Sequence, residues 1–186
     1  ARENYDSGLP IMRRLDILYP DYVEASANDQ YMLGDYLLVA PISEATVNEI
    51  IGANAFTHVE NGQTLPGLKA EYYNNNNWSG TPSKTRTDKN INFDWQTSGP
   101  AGVGVGSDNF SVKWTGNVTI GDKPASLSFF ADDRVIVYID GKLVVNGTTY
   151  DTYYTTDQYP ANSTHTIEVR YAEDGGGAHV YAYYVE

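Results

Sequence analysis

Two adjacent acids, Asp132 and Asp133, are the residues whose type and spacing best suit a chemical task. Neighbouring negative charges repel each other, and aspartate disfavours strands. The pair stands between an apolar run ending at Ala131 and a β-branched run at 135–139, so it falls at a loop end where both carboxylates could face one cation. Asp140-Gly141 follows, a strong hairpin signal before a third run at 143–145, because both central residues of a type I′ turn need positive φ. The plainer alternative is a solvated turn whose aspartates cap backbone N–H groups. Arg134, next in the chain, could then neutralise them without a metal. Glycoside hydrolysis by the pair is rejected. A retaining site needs carboxyls about 5–5.5 Å apart, one protonated and one ionised, and the flanking residues offer no cleft to separate their pKa values.

Other candidates are weaker. The tyrosine-rich stretch 148–159 contains Tyr153 and could stack on pyranose rings, since tyrosine joins a flat apolar face to a polar edge. An edge strand using aromatics as cross-strand pairs is the favoured reading of the same residues. Trp114 sits on an alternating apolar face and is expected in the core, as is Trp95; Trp78, between Asn77 and Ser79, is the one plausible exposed platform, with a core position the favoured reading of it too. The glycines of 102–106 evoke a phosphate loop but lack the Lys-Ser/Thr and the helix that such a loop requires. His58, His165 and His179 have no partner at metal-ligand spacing, so no metal role is expected of them.

The elements that must hold these residues are strands. From residue 67 onward the period is two: Leu68, Ala70 and Tyr72 alternate with polar neighbours, as do Val112 and Trp114, Ile167 and Val169, and Val180 and Ala182. Short alternating runs separated by Gly, Asn, Asp and Pro predict a mainly β protein, an antiparallel sandwich or barrel without helices in this part. Residues 1–51 differ. They mix charge with helix formers, then carry a continuous apolar run at 36–40 that implies burial on both faces. Fifty such residues cannot enclose a core, and they read as a fragment of a larger domain. Residues 52–66, with the turn dipeptides Asn61-Gly62 and Pro66-Gly67, read as a connector, with a further strand paired from its short apolar pieces as the weaker alternative.

Composition narrows the partners. The 186 residues contain no cysteine, which removes disulfides, thiolate metal sites and thiol chemistry. A net charge of −12 argues against nucleic acid and anionic membranes, and no stretch reaches membrane-spanning length. No signal peptide is expected at the start of the sequence.

Two resemblances organise the rest. Gly8, Pro10, Met12, Arg13, Leu15, Asp29, Gln30, Gly34, Asp35 and the run Leu38 to Pro41 resemble the region of glycoside hydrolase family 31, the α-glucosidase-like enzymes, where the barrel gives way to a small β-domain. Arg14 stands where that family usually has proline, and the family's catalytic carboxylate motifs do not occur here, so no catalytic residue is assigned. The segments 67–74, 85–95, 108–116 and 128–144 resemble the PA-14 domain, a β-sandwich that occurs inside glycosidases. In its adhesin branch, paired aspartates joined by a cis peptide hold a calcium ion that contacts sugar hydroxyls. That resemblance implies Asp132 and Asp133 as calcium ligands. Calcium takes about six to eight oxygens, and the loop of Glu173, Asp174, Gly175, Gly176 and Gly177 is expected to supply carbonyls, folded inward by its glycines, or another acid, with Asp174 as a third metal ligand.

The resulting expectation is a PA-14 sandwich at 67–186 serving as a non-catalytic carbohydrate-binding or specificity module of a family-31 enzyme. Its ligand would be a glucan or glucooligosaccharide, its partner the rest of the parent glycosidase, and its setting extracellular or on the cell surface. The alternatives are an insert that shapes the parent cleft without binding sugar alone, and an adhesin-like glycan-binding domain.

Overall fold

The computed structural model describes residues 12–14, 31–33, 37–39 and 48–185, and the chain divides into two units, Ala1–Ala45 and Thr46–Glu186. In the first, β1 (Met12–Arg14), β2 (Tyr31–Leu33) and β3 (Leu37–Val39) form an antiparallel three-stranded sheet in that order. β3 lies within the apolar run at 36–40. The burial expected for that run, and the resemblance positions Gly8, Pro10, Leu15, Asp29, Gln30, Gly34, Asp35, Ala40 and Pro41, lie outside the described residues.

The second unit contains β4 (Asn48–Ile50), β5 (Phe56–Glu60), β6 (Gln63–Pro66), β7 (Leu68–Tyr73), β8 (Lys84–Asp88), β9 (Asn92–Gln96), β10 (Phe110–Thr119), β11 (Ala125–Asp132), β12 (Arg134–Ile139), β13 (Lys142–Gly147), β14 (Thr152–Tyr159), β15 (Thr164–Glu173) and β16 (Ala178–Val185). These make two antiparallel sheets. The larger runs β13-β12-β15-β10-β5-β6, with β7 and β8 added beside β10; the smaller runs β14-β11-β16-β4, with β9 also on β16. The only helical turn among the described residues is a 3-10 turn at Ala53–Ala55, and no described helix is long and apolar enough to cross a membrane.

Alternation places the core between the sheets. On β12, Val135, Val137 and Ile139 are buried while their neighbours are not; on β16 the buried set is Ala178, Val180 and Ala182. Trp114 and Tyr72 from the large sheet meet Leu127 and Phe129 from the small one in a single apolar cluster. Trp114 is fully buried, and Trp95 packs against the core with its ring stacked 4.9 Å from Phe93. The β12–β13 hairpin turns at Asp140-Gly141 with φ of 50° and 76°, as the dipeptide predicts.

The stretch 52–66, read from sequence as a connector, is a hairpin of the large sheet. Asn61 and Gly62 both take positive φ in its turn, and Phe56, which opens β5, is fully buried. β4 and Ile51 also join the sandwich: β4 pairs with β16, and Ile51 donates its N–H to the Ala182 carbonyl at 2.9 Å. Apolar burial reaches upstream because β16 and β10 are long enough to take two partners end to end on one edge.

Candidate functional site

β11 belongs to the small sheet and β12 to the large one, so Asp132 and Asp133 lie where the chain crosses between them. β15 and β16 make the matching crossover through residues 174–177. Strand register sets the two crossovers side by side, with Asp132 opposite His179 and Arg134 opposite Ala172. Apolar alternation fixes this register, since a one-residue slip would turn Val135 or Val180 outward. The Asp132–Asp133 peptide is cis, the form the resemblance implies.

The second loop meets the acids through its N–H groups. Asp174 N donates to Asp133 Oδ2 at 2.7 Å and Gly175 N to the same oxygen at 3.4 Å, while Gly176 N donates to Asp108 Oδ1 at 3.2 Å. The sequence reading has this loop supply carbonyls or another acid. Successive amides instead form a small anion-holding concavity, and Gly176 can take its φ of 110° because it has no side chain.

Asp174 is engaged elsewhere. Arg134 grips it bidentately, Nε to Oδ2 at 3.0 Å and Nη2 to Oδ1 at 2.7 Å, and Asn76 adds a bond at 2.7 Å. The Arg134 bond, outweighing burial, holds the Asp174 carboxyl below its usual range. Arg134 is thus drawn away from Asp132 and Asp133. Trp78 sits on the same rim, its ring 5.9 Å from the guanidinium, and its indole N–H donates to the carbonyls of Val112 and Tyr171. That anchored, half-buried ring is a wall rather than a free platform.

Glu173 closes the floor. Its side chain is 0% exposed, Oε2 accepts from the Tyr171 hydroxyl at 2.8 Å, and Oε1 has no hydrogen-bond partner. The same Tyr171 hydroxyl reaches the Asp132 carbonyl. Burial first, then the charges of Asp133 and Asp132, raise the Glu173 carboxyl to about 7. Burial, and next the neighbouring Asp133 and then Asp151, raise Asp132 to about 6.

On its other side Asp132 approaches Asp151 and His179, one ligand-type atom of each lying within 4.8 Å of the others. His179 Nε2 is 3.0 Å from Asp151 Oδ1, and the ring stacks on Phe130 at 5.2 Å. Spacing gave no hint of this histidine or of Asp151. Strand pairing brings both there: Ala131 faces Thr152 on one side of β11 and Asp132 faces His179 on the other. The remaining histidines have structural partners, His58 with the Gly67 carbonyl and His165 with Asp140. Tyr153 lies one strand over, 52% exposed and 4.6 Å from the Phe130 ring. The fold therefore gathers Asp132, Asp133, Glu173 and the Gly175 amide, and leaves the Asp174 carboxylate and Trp78 on the far side of the rim.

Residues 65–185, well over half of the chain, match the PA14 domain family. This chain belongs to the PA14 family. Residues 8–98 match the glycosyl hydrolase family 31 C-terminal domain, overlapping the PA14 match where the structure places β7 to β9 in the sandwich. Among curated proteins, anti-sigma-I factor RsgI3 of Acetivibrio thermocellus is 38% identical over 93 residues, 47% of this chain and 13% of that protein. An anti-sigma factor domain-containing protein from Clostridium clariflavum superposes with a TM-score of 0.54 at 25% identity, over 62% of this chain and 40% of its own. The family-31 α-xylosidase of Xanthomonas citri shares the fold, with a TM-score of 0.51 at 15% identity, over 75% of this chain and 17% of the enzyme. The PA14 chain thus spans less than half the length of each of these relatives.

Proposed function

We propose that this PA14 sandwich is a non-catalytic carbohydrate-binding module in which Asp132, Asp133 and Glu173 hold a calcium ion. One observation carries the reading. A wholly buried carboxylate with an unpartnered oxygen feels the charges of Asp133 and Asp132 and shares the Tyr171 hydroxyl with the Asp132 carbonyl, while the arginine in reach is bound to Asp174. The donors are hard oxygens, which suits calcium, and a bound cation would favour the ionised form of the Glu173 carboxyl that burial otherwise raises to about 7. When bound, the ion supplies coordination to vicinal sugar hydroxyls. The chain's own part is to fix the acids: Tyr171 orients Glu173, the amides of Asp174 and Gly175 hold Asp133, and Arg134 keeps Asp174 aside.

The family-31 match at 8–98 supports a parent glycosidase acting on α-glucosides or glucans outside the cell. The kinship with proteins named as anti-sigma factors supports a module whose chemistry travels independently of its neighbours. Calcium titrated calorimetrically into the whole chain should bind one ion, and binding should vanish in Asp132→Asn. Capture on a glycan array should fall away in chelator. No calcium heat, with array binding intact in chelator, overturns the cation mechanism.

A further inference from the structure

The outer face of the small sheet carries a continuous aromatic surface. Phe130 on β11 stands at the centre, paired in register with Tyr153 on β14 and Tyr181 on β16. Its ring centroid lies 4.6 Å from Tyr153, 5.2 Å from His179 and 6.3 Å from Tyr181. Tyr183 extends the patch, 5.9 Å from Tyr153 and 6.1 Å from Tyr181. None of these rings belongs to the core between the sheets. The patch adjoins the acid cluster through His179 and through Phe130, two residues from Asp132.

We infer that this face is a stacking platform for an uncharged pyranose chain, a second subsite beside the cation site. Each tyrosine offers a flat apolar face with a hydroxyl at its edge, which matches a sugar ring's C–H face and equatorial hydroxyls. One end of the patch is acidic: Asp151 and Asp132 lie there beside His179, and Asp94 lies opposite His179 across the β9–β16 pair. Acids accept hydrogen bonds from hydroxyls and repel uronates, phosphates and sulfates, so the charge selects a neutral polymer. The platform rests on the carbohydrate reading but not on calcium.

The test is native affinity electrophoresis of the whole chain in gels containing amylose, xyloglucan or polygalacturonate, run with and without chelator. With chelator present, wild type should be retarded by a neutral polymer and not by polygalacturonate. Tyr153→Ala and Tyr181→Ala should each weaken that retardation about tenfold, the scale of losing one stacking ring. Tyr153 is mostly solvent-facing, so an unchanged melting temperature for its variant separates lost binding from lost fold. Absence of retardation in chelator, or equal retardation of wild type and both variants, overturns the platform. If calcium alone restores retardation equally in all three, the cation reading stands and the platform falls. Retardation in chelator with no calcium heat has the opposite meaning. Self-association in sedimentation velocity that Tyr153→Ala abolishes, without polymer retardation, also overturns it by assigning the face to a second copy.

Discussion

The sequence places Glu173 in a ligand loop but not its burial, and that burial gives the site a distinctive pH signature. A carboxyl raised to about 7 in the fold, against an ordinary 4.5, binds its proton more tightly folded than unfolded. Stability is then full below the unfolded value and falls as pH rises from about 4.5 towards 7. Asp132, raised to about 6, adds the same sign over a lower window. Glu71 works the other way: burial alone would raise it, but bonds from Lys113 and Lys69 hold it at about 2, so its contribution is lost only as pH falls below 4.5. The Glu173 and Glu71 windows meet without overlapping, and the Asp132 window, from 3.8 to about 6, spans their boundary. Calorimetric melting in chelator should therefore show Tm falling between pH 5 and pH 7.5, as orders of magnitude for such shifts imply over roughly that range. Glu173→Gln should flatten the slope, and excess calcium should restore the wild-type Tm at neutral pH. The acid pair itself was legible in sequence, because two adjacent aspartates at a strand end are rare enough to notice. Asp151 and His179 were not, since only the pairing of β11 with β14 and β16 brings them to Asp132.

At the scale of elements, one polar knot ties β7, β8 and β10 together. Asp88 Oδ2 accepts from the Tyr72 hydroxyl at 2.6 Å and from Trp114 Nε1 at 2.8 Å, and Arg86 Nε donates to Oδ1 at 2.6 Å. Trp114 and Tyr72 are fully buried, so both donors depend on this carboxylate. Asp88→Ala strands them and should cost about 3 kcal/mol, the scale of leaving buried donors unpaired. Urea unfolding followed by tryptophan fluorescence would measure it, and Asp88→Asn, which keeps an acceptor, should lose less. Alternation made Trp114 legible as core, because the period of two needs only its near neighbours. Asp88 was legible only as part of a family motif. Its role depends on which strand lies beside which, and local pattern does not encode that.

At the scale of the molecule, the question is where the sandwich starts. The repeat of turn signals after Gly67 suggested a start there, since the preceding stretch is short and rich in Gly and Asn. The structure starts the unit at Thr46. β4 completes an edge of β16, β5 and β6 extend β10, and Ile51 and Phe56, both 0% exposed, fill the core from that side. Full burial of such side chains stabilises by roughly 1.5–3 kcal/mol each. Removing both, and opening two strand edges, takes away a large part of an ordinary domain's margin of about 5–15 kcal/mol. A chain of 46–186 should melt cooperatively, keep its β circular dichroism and bind calcium as the whole chain does. A chain of 67–186 should melt well below it or collect in the insoluble fraction, with the bared edges of β10 and β16 as the sites of association. Equal melting temperatures for the two would show that β4, β5 and β6 decorate the sandwich rather than complete it, and the unit would then begin at Gly67 after all.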